Sequence, residues 1–200
     1  SLADEPMALQ RVLRQFLPVL LLGAVLGAAV YATRGARLEP ADFVFNNGTE
    51  VQTLDPATVT GVPEGRAIRM VYEGLLVSHP ETLAPLPGMA ERWEVSEDRL
   101  SYTFHLRRNA LWSNGDTVDA DDFMWSFERF LDPRTAAEYA YMLWYVTGAR
   151  AFTTEVEDGR PRNSFDTVGI ERLDRWTLRF QLEAPCPFSV SYTHLRAHET

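Results

Sequence analysis

The 200-residue chain contains no lysine: all nineteen of its basic residues are arginine. That absence removes Schiff-base chemistry and the phosphate-gripping lysine of a P-loop. A GC-rich genome that favours arginine codons is a sufficient cause for the bias. A single cysteine, Cys186, leaves no partner for a disulfide within these residues. There is no glycine-rich phosphate loop, and neither His79 nor His105 lies in a nucleophile motif of the G-x-S-x-G kind. Positive charge is also scarce. The net charge is -9, the pI is near 4.9, and no segment concentrates the basic residues that neutralising phosphates requires, so nucleic acid is excluded as a partner.

What is present is apolar. Hydrophobic residues make up 46% and aromatics 12%, enough for a packed core and against intrinsic disorder. From Phe16 to Ala32 runs FLPVLLLGAVLGAAVYA, without a charge, between Arg11 and Arg14 on one side and Arg34 and Arg37 on the other. Two readings stay open over residues 7–33. A basic start, an apolar run and a small-residue end at Val30-Tyr31-Ala32 suit a cleavable signal peptide. The same run is at the short limit for an anchor in the cytoplasmic membrane. Either way, the remainder is expected outside the cytoplasm. No cysteine closes the run, so no lipoprotein anchor is expected. Met7 suits a native start, making residues 1–6 non-native upstream sequence, and residues 34–41 read as a linker.

Beyond the linker, Phe43 to Phe45 reads as a short strand stopped by Asn46-Asn47-Gly48, and TLDPATVTGVPEG as a loop. A helix is predicted over Glu64 to Leu76, with Ala67, Met70, Val71, Gly74 and Leu75 on its buried face. Period two then takes over: Tyr102, Phe104 and Leu106 mark a half-buried strand, followed by a turn at Asn114-Gly115. Asp119 reads as the N-cap of a helix whose buried stripe is Phe123, Phe127 and Phe130, with Asp121 and Asp122 in its first turn. A second, aromatic-rich helix is predicted over Arg134 to Val146. A hairpin follows over 167–183, with Trp176, Leu178, Phe180 and Leu182 on one face. The pattern is mixed α/β, without the steady alternation of a parallel sheet.

The acidic run Asp116, Asp119, Asp121 and Asp122 fails as a calcium loop, because its sixth place is not glycine, and helix capping explains it. No metal, cofactor or catalytic group is expected. Two carboxylates brought together by the fold would suffice for an exported hydrolase, which composition alone leaves open. The aromatic, acidic and exported character fits a binding protein equally.

Five segments in order resemble the extracytoplasmic solute-binding proteins of peptide transporters of the ATP-binding-cassette type, in particular the oligopeptide-binding family. They are NNGTEVQTLDPATVTGVPEG, YEGLLVSHPET, PGMAERWEVSEDRLSYTFHLRRNALWSNGDTV, ADDFMWSFERFLDPRTAAEYAYMLWYV and DTVGIERLDRWTLRFQLEAPCPF. The resemblance implies a two-lobed periplasmic-binding-protein-like fold of type II that closes on an oligopeptide and delivers it to the permease subunits of an importer. Residues 42–72 would begin the first lobe and 73–188 would belong to the second, within which the chain stops. The resemblance places Thr60, Gly61 and Val62 where the family pairs with the ligand main chain, and Tyr139 facing the cleft. Thr60 departs from the glutamate common at that place in close relatives. Dipeptides, murein peptides, nickel chelates, haem or oligosaccharides are alternative ligands, and an anchored peptide sensor or chaperone an alternative role. A monomer is expected, and these residues alone are expected not to bind peptide.

The last stretch, SVSYTHLRAHET, sets His194 and His198 at i and i+4 beside Glu199, a spacing that suits a metal on a helix. The resemblance breaks at Ser189, however, and residues 190–200 match at every position the translation of a transposon adapter used in sequencing libraries. Residues 189–200 are therefore expected to be an adapter scar rather than a site.

Overall fold

The computed structural model describes residues 5–35 and 44–186, which divide into two compact units, Ser1–Asn46 and Asn47–Thr200. Of the linker expected over 34–41, residues 36–41 lie outside the described residues, as do Phe43 of the expected strand and the His194/His198 segment; residues 34–35 belong to helix α1 rather than to a linker. The first unit is helix α1, Glu5–Gly35, with Pro18 inside it and the apolar side chains from Phe16 to Tyr31 exposed. Among the described residues no helix is long and apolar enough to cross a membrane.

The second unit is built on a four-stranded antiparallel sheet in the order β3-β4-β8-β7, comprising β3 (Ala90–Val95), β4 (Ser101–Leu106), β7 (Ile170–Asp174) and β8 (Thr177–Gln181). A smaller pair, β1 (Leu76–Ser78) and β2 (Pro85–Pro87), precedes it in sequence, and a short hairpin, β5 (Val156–Glu157) and β6 (Arg160–Pro161), comes between β4 and β7. β4 and β8 pair from Ser101↔Gln181 to His105↔Thr177, so seventy intervening residues are looped out between two adjacent strands. Period-two patterning sets the faces. Tyr102, Phe104 and Leu106 of β4 meet Leu178 and Phe180 of β8 in the core.

Helix α3 (Ala120–Leu131) covers that face. Its start is written by a capping box: the Asp121 N–H donates to Asp119 Oδ1 at 3.0 Å, and the Asp119 N–H to Asp122 Oδ2 at 2.8 Å. Phe123, Phe127 and Phe130 are buried as the stripe predicts, and the Phe127 ring meets Phe180 edge-on at 5.2 Å, with Phe104 edge-on to Phe180 at 5.5 Å. At the rim, Arg172 pairs with Asp121 at 3.1 Å and Arg175 with Asp119 at 3.0 Å, joining β7 and its turn to the same helix end.

Three expectations are corrected. Val44 and Phe45 form no strand, and no described strand pairs with them. Helix α2 spans Val62–Val71, two residues early at its start and five short at its end. It buries Glu64 and Ile68 and leaves Met70 and Val71 70% or more exposed. The helix stops because Gly74 and Leu75 are recruited to the sheet side: their carbonyls accept from Met89 and Ala90 N–H at 2.9 Å, and Leu75 and Leu76 join the core. The aromatic-rich helix over 134–146 is absent. Pro133 disfavours helical geometry at Asp132 and ends α3, and Ala136 turns left-handed at φ 53°. Two 3-10 turns, Pro133–Thr135 and Ala140–Leu143, replace the helix. Helix α4 (Ala149–Thr154) then starts at Gly148, where φ is +72° and a side chain would meet the Thr167 carbonyl oxygen at 2.5 Å.

Candidate functional site

The loop before α2 has few apolar residues to bury and is held instead by polar contacts. Asp55 organises its middle: the Ala57 N–H donates to Asp55 Oδ1 at 3.0 Å, and the Asp55 N–H to Thr53 Oγ1 at 3.1 Å. The Asp55 carboxylate then accepts from both terminal guanidinium nitrogens of Arg129, on α3, at 2.8 and 2.5 Å. This planar two-bond pairing fixes orientation as well as distance. The Asp55 hydrogen bond, outweighing partial burial, holds the Arg129 guanidinium more firmly protonated, and its charge also sits 5.9 Å from the Trp125 ring. At the loop's start, Asn47 Nδ2 donates to the Pro63 carbonyl at 3.0 Å.

The loop enters α2 through Gly61, the N-cap, with Val62 and Pro63 opening the first turn. Proline there gives up an N–H that has no helical acceptor. The N–H groups of Gly61 and Val62 are likewise without intrahelical acceptors by position. The Gly61 carbonyl accepts from Gly65 at 2.9 Å as the first helical bond. Val62 is 64% exposed, Gly61 half-buried and Thr60 exposed.

Tyr139 reaches this loop from the turn after α3. Its hydroxyl donates to the Thr60 carbonyl at 3.3 Å, across 79 residues of sequence. Tyr139 is half-buried, and its ring begins an aromatic ladder: Tyr141 edge-on at 6.2 Å, Trp144 edge-on to Tyr141 at 6.5 Å, and the Arg150 guanidinium 5.6 Å over Trp144. The structure thus brings all four residues singled out from sequence, Thr60, Gly61, Val62 and Tyr139, into one patch. Two open hollows beside α2, of about 400 and 630 Å³, are lined by other residues, among them Tyr72, Glu73, Met89, Arg107 and Trp112 for the first.

Sequence reasoning missed two residues that shape the patch. Arg129 lies on a helix whose charge placement alone shows no partner. Glu64 is 6% exposed, and its Oε1 accepts from the Gln52 N–H at 3.1 Å. The available signal was Glu64's place three residues after the N-cap glycine, a position from which glutamate reaches back over a helix start. Elsewhere, His105 lies on the polar face of β4, 3.2 Å from Glu94, whose carboxyl is held below its ordinary range chiefly by the hydrogen bond from Arg92. Among the described residues no group of three or more His, Cys, Asp or Glu could hold a metal ion.

Comparison with known proteins adds four findings. The family model described as "Bacterial extracellular solute-binding proteins, family 5 Middle" matches residues 84–199. The chain is 40% identical over 172 residues to the periplasmic oligopeptide-binding protein OppA of Escherichia coli K12, covering 86% of this chain and 31% of that protein. It is 36% identical over 157 residues to the periplasmic murein peptide-binding protein MppA of the same organism, covering 78% and 28%. Among solved structures, Haemophilus influenzae OppA in complex with the peptide RPPGFSPFR superposes with a TM-score of 0.67 at 37% identity, over 74% of this chain and 28% of that one. The chain therefore spans a little under a third of the length of these relatives, and its mixed helix-and-sheet architecture is that of the type II periplasmic-binding-protein class.

Proposed function

For a chain that belongs to the bacterial extracellular solute-binding proteins of family 5, we propose the role of an extracytoplasmic receptor that captures oligopeptides for an ATP-binding-cassette importer. The observation that carries the proposal is the Tyr139 to Thr60 hydrogen bond. It gathers into one patch a partly exposed loop and an aromatic side chain. An extended peptide needs both: main-chain groups to pair with, and an apolar surface against which its side chains lie.

In this reading Gly61 and Val62 offer the N–H groups that helix α2 leaves unused, and the exposed Val62 side chain meets the ligand. Tyr139 supports the loop from behind while presenting its ring edge. Main-chain pairing reads the peptide backbone rather than its sequence, and water in the side-chain pockets tolerates variety. Thr60 offers no carboxylate, so peptide charge is not read at that position. Closure of two lobes around the bound peptide presents it to the permease subunits, and no covalent chemistry is involved. The N-terminal segment either directs export and is cleaved or anchors the receptor outside the cytoplasmic membrane; sequencing the mature N-terminus distinguishes them, a start near Thr33 meaning cleavage.

The experiment is calorimetric titration of the protein expressed from the complete reading frame that contains these residues, with tri-, tetra- and pentapeptides. Dissociation constants on the order of micromolar or tighter are expected. Peptides without measurable binding, beside saturable binding of a haem or a nickel chelate, would overturn the peptide reading in favour of another solute. Residues 1–200 alone are expected to give no binding.

A further inference from the structure

We propose that Glu64 is the positioning residue of the peptide-pairing loop, and that residue 61 is glycine because the Glu64 carboxylate occupies the place of its side chain. Gly61 has φ -82° and ψ 152°, an extended conformation open to any residue, so backbone freedom does not explain the glycine. Space does. A Cβ at Gly61 would lie 1.9 Å from Glu64 Oε2 and 2.8 Å from its Cδ, so any side chain there requires the carboxylate to leave its buried position.

The carboxylate is folded back over the start of its own helix, where the helix dipole favours negative charge. It is also buried, which is costly for an anion unless hydrogen bonds compensate. The Gln52 N–H, 12 residues upstream, supplies one at 3.1 Å. Glu64 therefore ties the entry of the loop, Gln52, to its exit, Gly61. The Asp55–Arg129 pair holds the middle, and Tyr139 holds Thr60. A methyl group at 61 would expel the carboxylate and break the Gln52 link. Gly61→Ala and Glu64→Ala should thus act through the same lost contact.

The consequence for ligand affinity rests on the peptide-receptor reading above; the consequence for the loop does not. Glu64→Gln, Glu64→Ala, Gly61→Ala and the Gly61→Ala/Glu64→Ala double variant would be made in the protein from the complete reading frame. Two readouts are taken: hydrogen exchange of the Gln52 amide without ligand, and calorimetric affinity for RPPGFSPFR. Gln52 exchange is expected to quicken about tenfold in both alanine variants and no further in the double variant, since one hydrogen bond is lost in each. Peptide affinity should fall about tenfold in the same three, while Glu64→Gln, which keeps the acceptor, restores both readouts. Unchanged Gln52 exchange in Glu64→Ala, or additive effects in the double variant, would overturn the proposal. Absent rescue by Glu64→Gln would also overturn it. If the parent protein binds no peptide but Gln52 exchange behaves as expected, the positioning role stands and the peptide reading of the site falls.

Discussion

The sheet with α3 and the loop with α2 belong to the same compact unit, yet they are held by different physics. The first is a stack of aromatic and aliphatic side chains in which Phe104, Phe123 and Phe127 are almost wholly withdrawn from water. Burial is roughly additive and non-directional, so no single contact decides it. In the second, Val62, Met70 and Val71 face solvent, and geometry depends on a few directional contacts: Gln52 to Glu64, Asp55 to Arg129 and Tyr139 to Thr60. A scaffold of the first kind is rigid. A loop of the second kind can be ordered without being buried, which is what a surface must be to exchange its partners for a ligand.

The difference should appear first as a difference in cost. Phe127→Ala, which deletes the ring between α3 and β8, is expected to lower the stability of the second unit by about 3–5 kcal/mol, measured by urea unfolding. Arg129→Ala is expected to cost less, about 1–2 kcal/mol, because the pair with Asp55 is partly exposed to solvent. Its signature should be local: faster exchange of the Ala57 amide with the β4 and β8 amides unchanged. A loss of protection spread evenly across the sheet would show that the two regions are one cooperative body. Gly148→Ala should cost about 1 kcal/mol or more from its left-handed backbone, with the clash at Thr167 in addition, again by unfolding.

The smallest effect is electrostatic. Burial raises the Asp122 carboxyl above its ordinary value, outweighing the hydrogen bond from the Asp119 N–H. A raised carboxyl favours the folded state while protonated, and that contribution is lost as pH rises from the unfolded value through the folded one. Asp122→Asn keeps an acceptor for Asp119 and removes the titration. Its stability relative to the parent should therefore improve as pH rises from acid into the neutral range, checked by unfolding at a series of pH values. A difference independent of pH would show that Asp122 carries no such cost.

These two kinds of organisation also explain what could be read in advance. The strand at Tyr102 to Leu106, the α3 stripe, the Asp119 cap and the 177–182 face are local periodicities, and burial follows them directly. The helix expected over 134–146 failed because its aromatic spacing suits successive 3-10 turns as well as a helix, and Pro133 and a left-handed Ala136 decided between them. In α2, apolar Met70 and Val71 outvoted Glu64, whose burial depends on Gln52, a partner that periodicity cannot see. Thr60, Gly61, Val62 and Tyr139 were reached through resemblance of motif order, not through any local chemistry in their neighbourhood. Their convergence through one hydrogen bond is a property of the fold.

The peptide-pairing role proposed for the loop is tested most directly by hydrogen exchange at the Gly61 and Val62 amides of the protein from the complete reading frame, with and without a bound tri- to pentapeptide. Both amides should be slowed on binding by about tenfold or more, as N–H groups without helical acceptors gain partners on the ligand main chain. Tight peptide binding with both amides exchanging at their unliganded rates would contradict the assignment of this loop as the pairing edge.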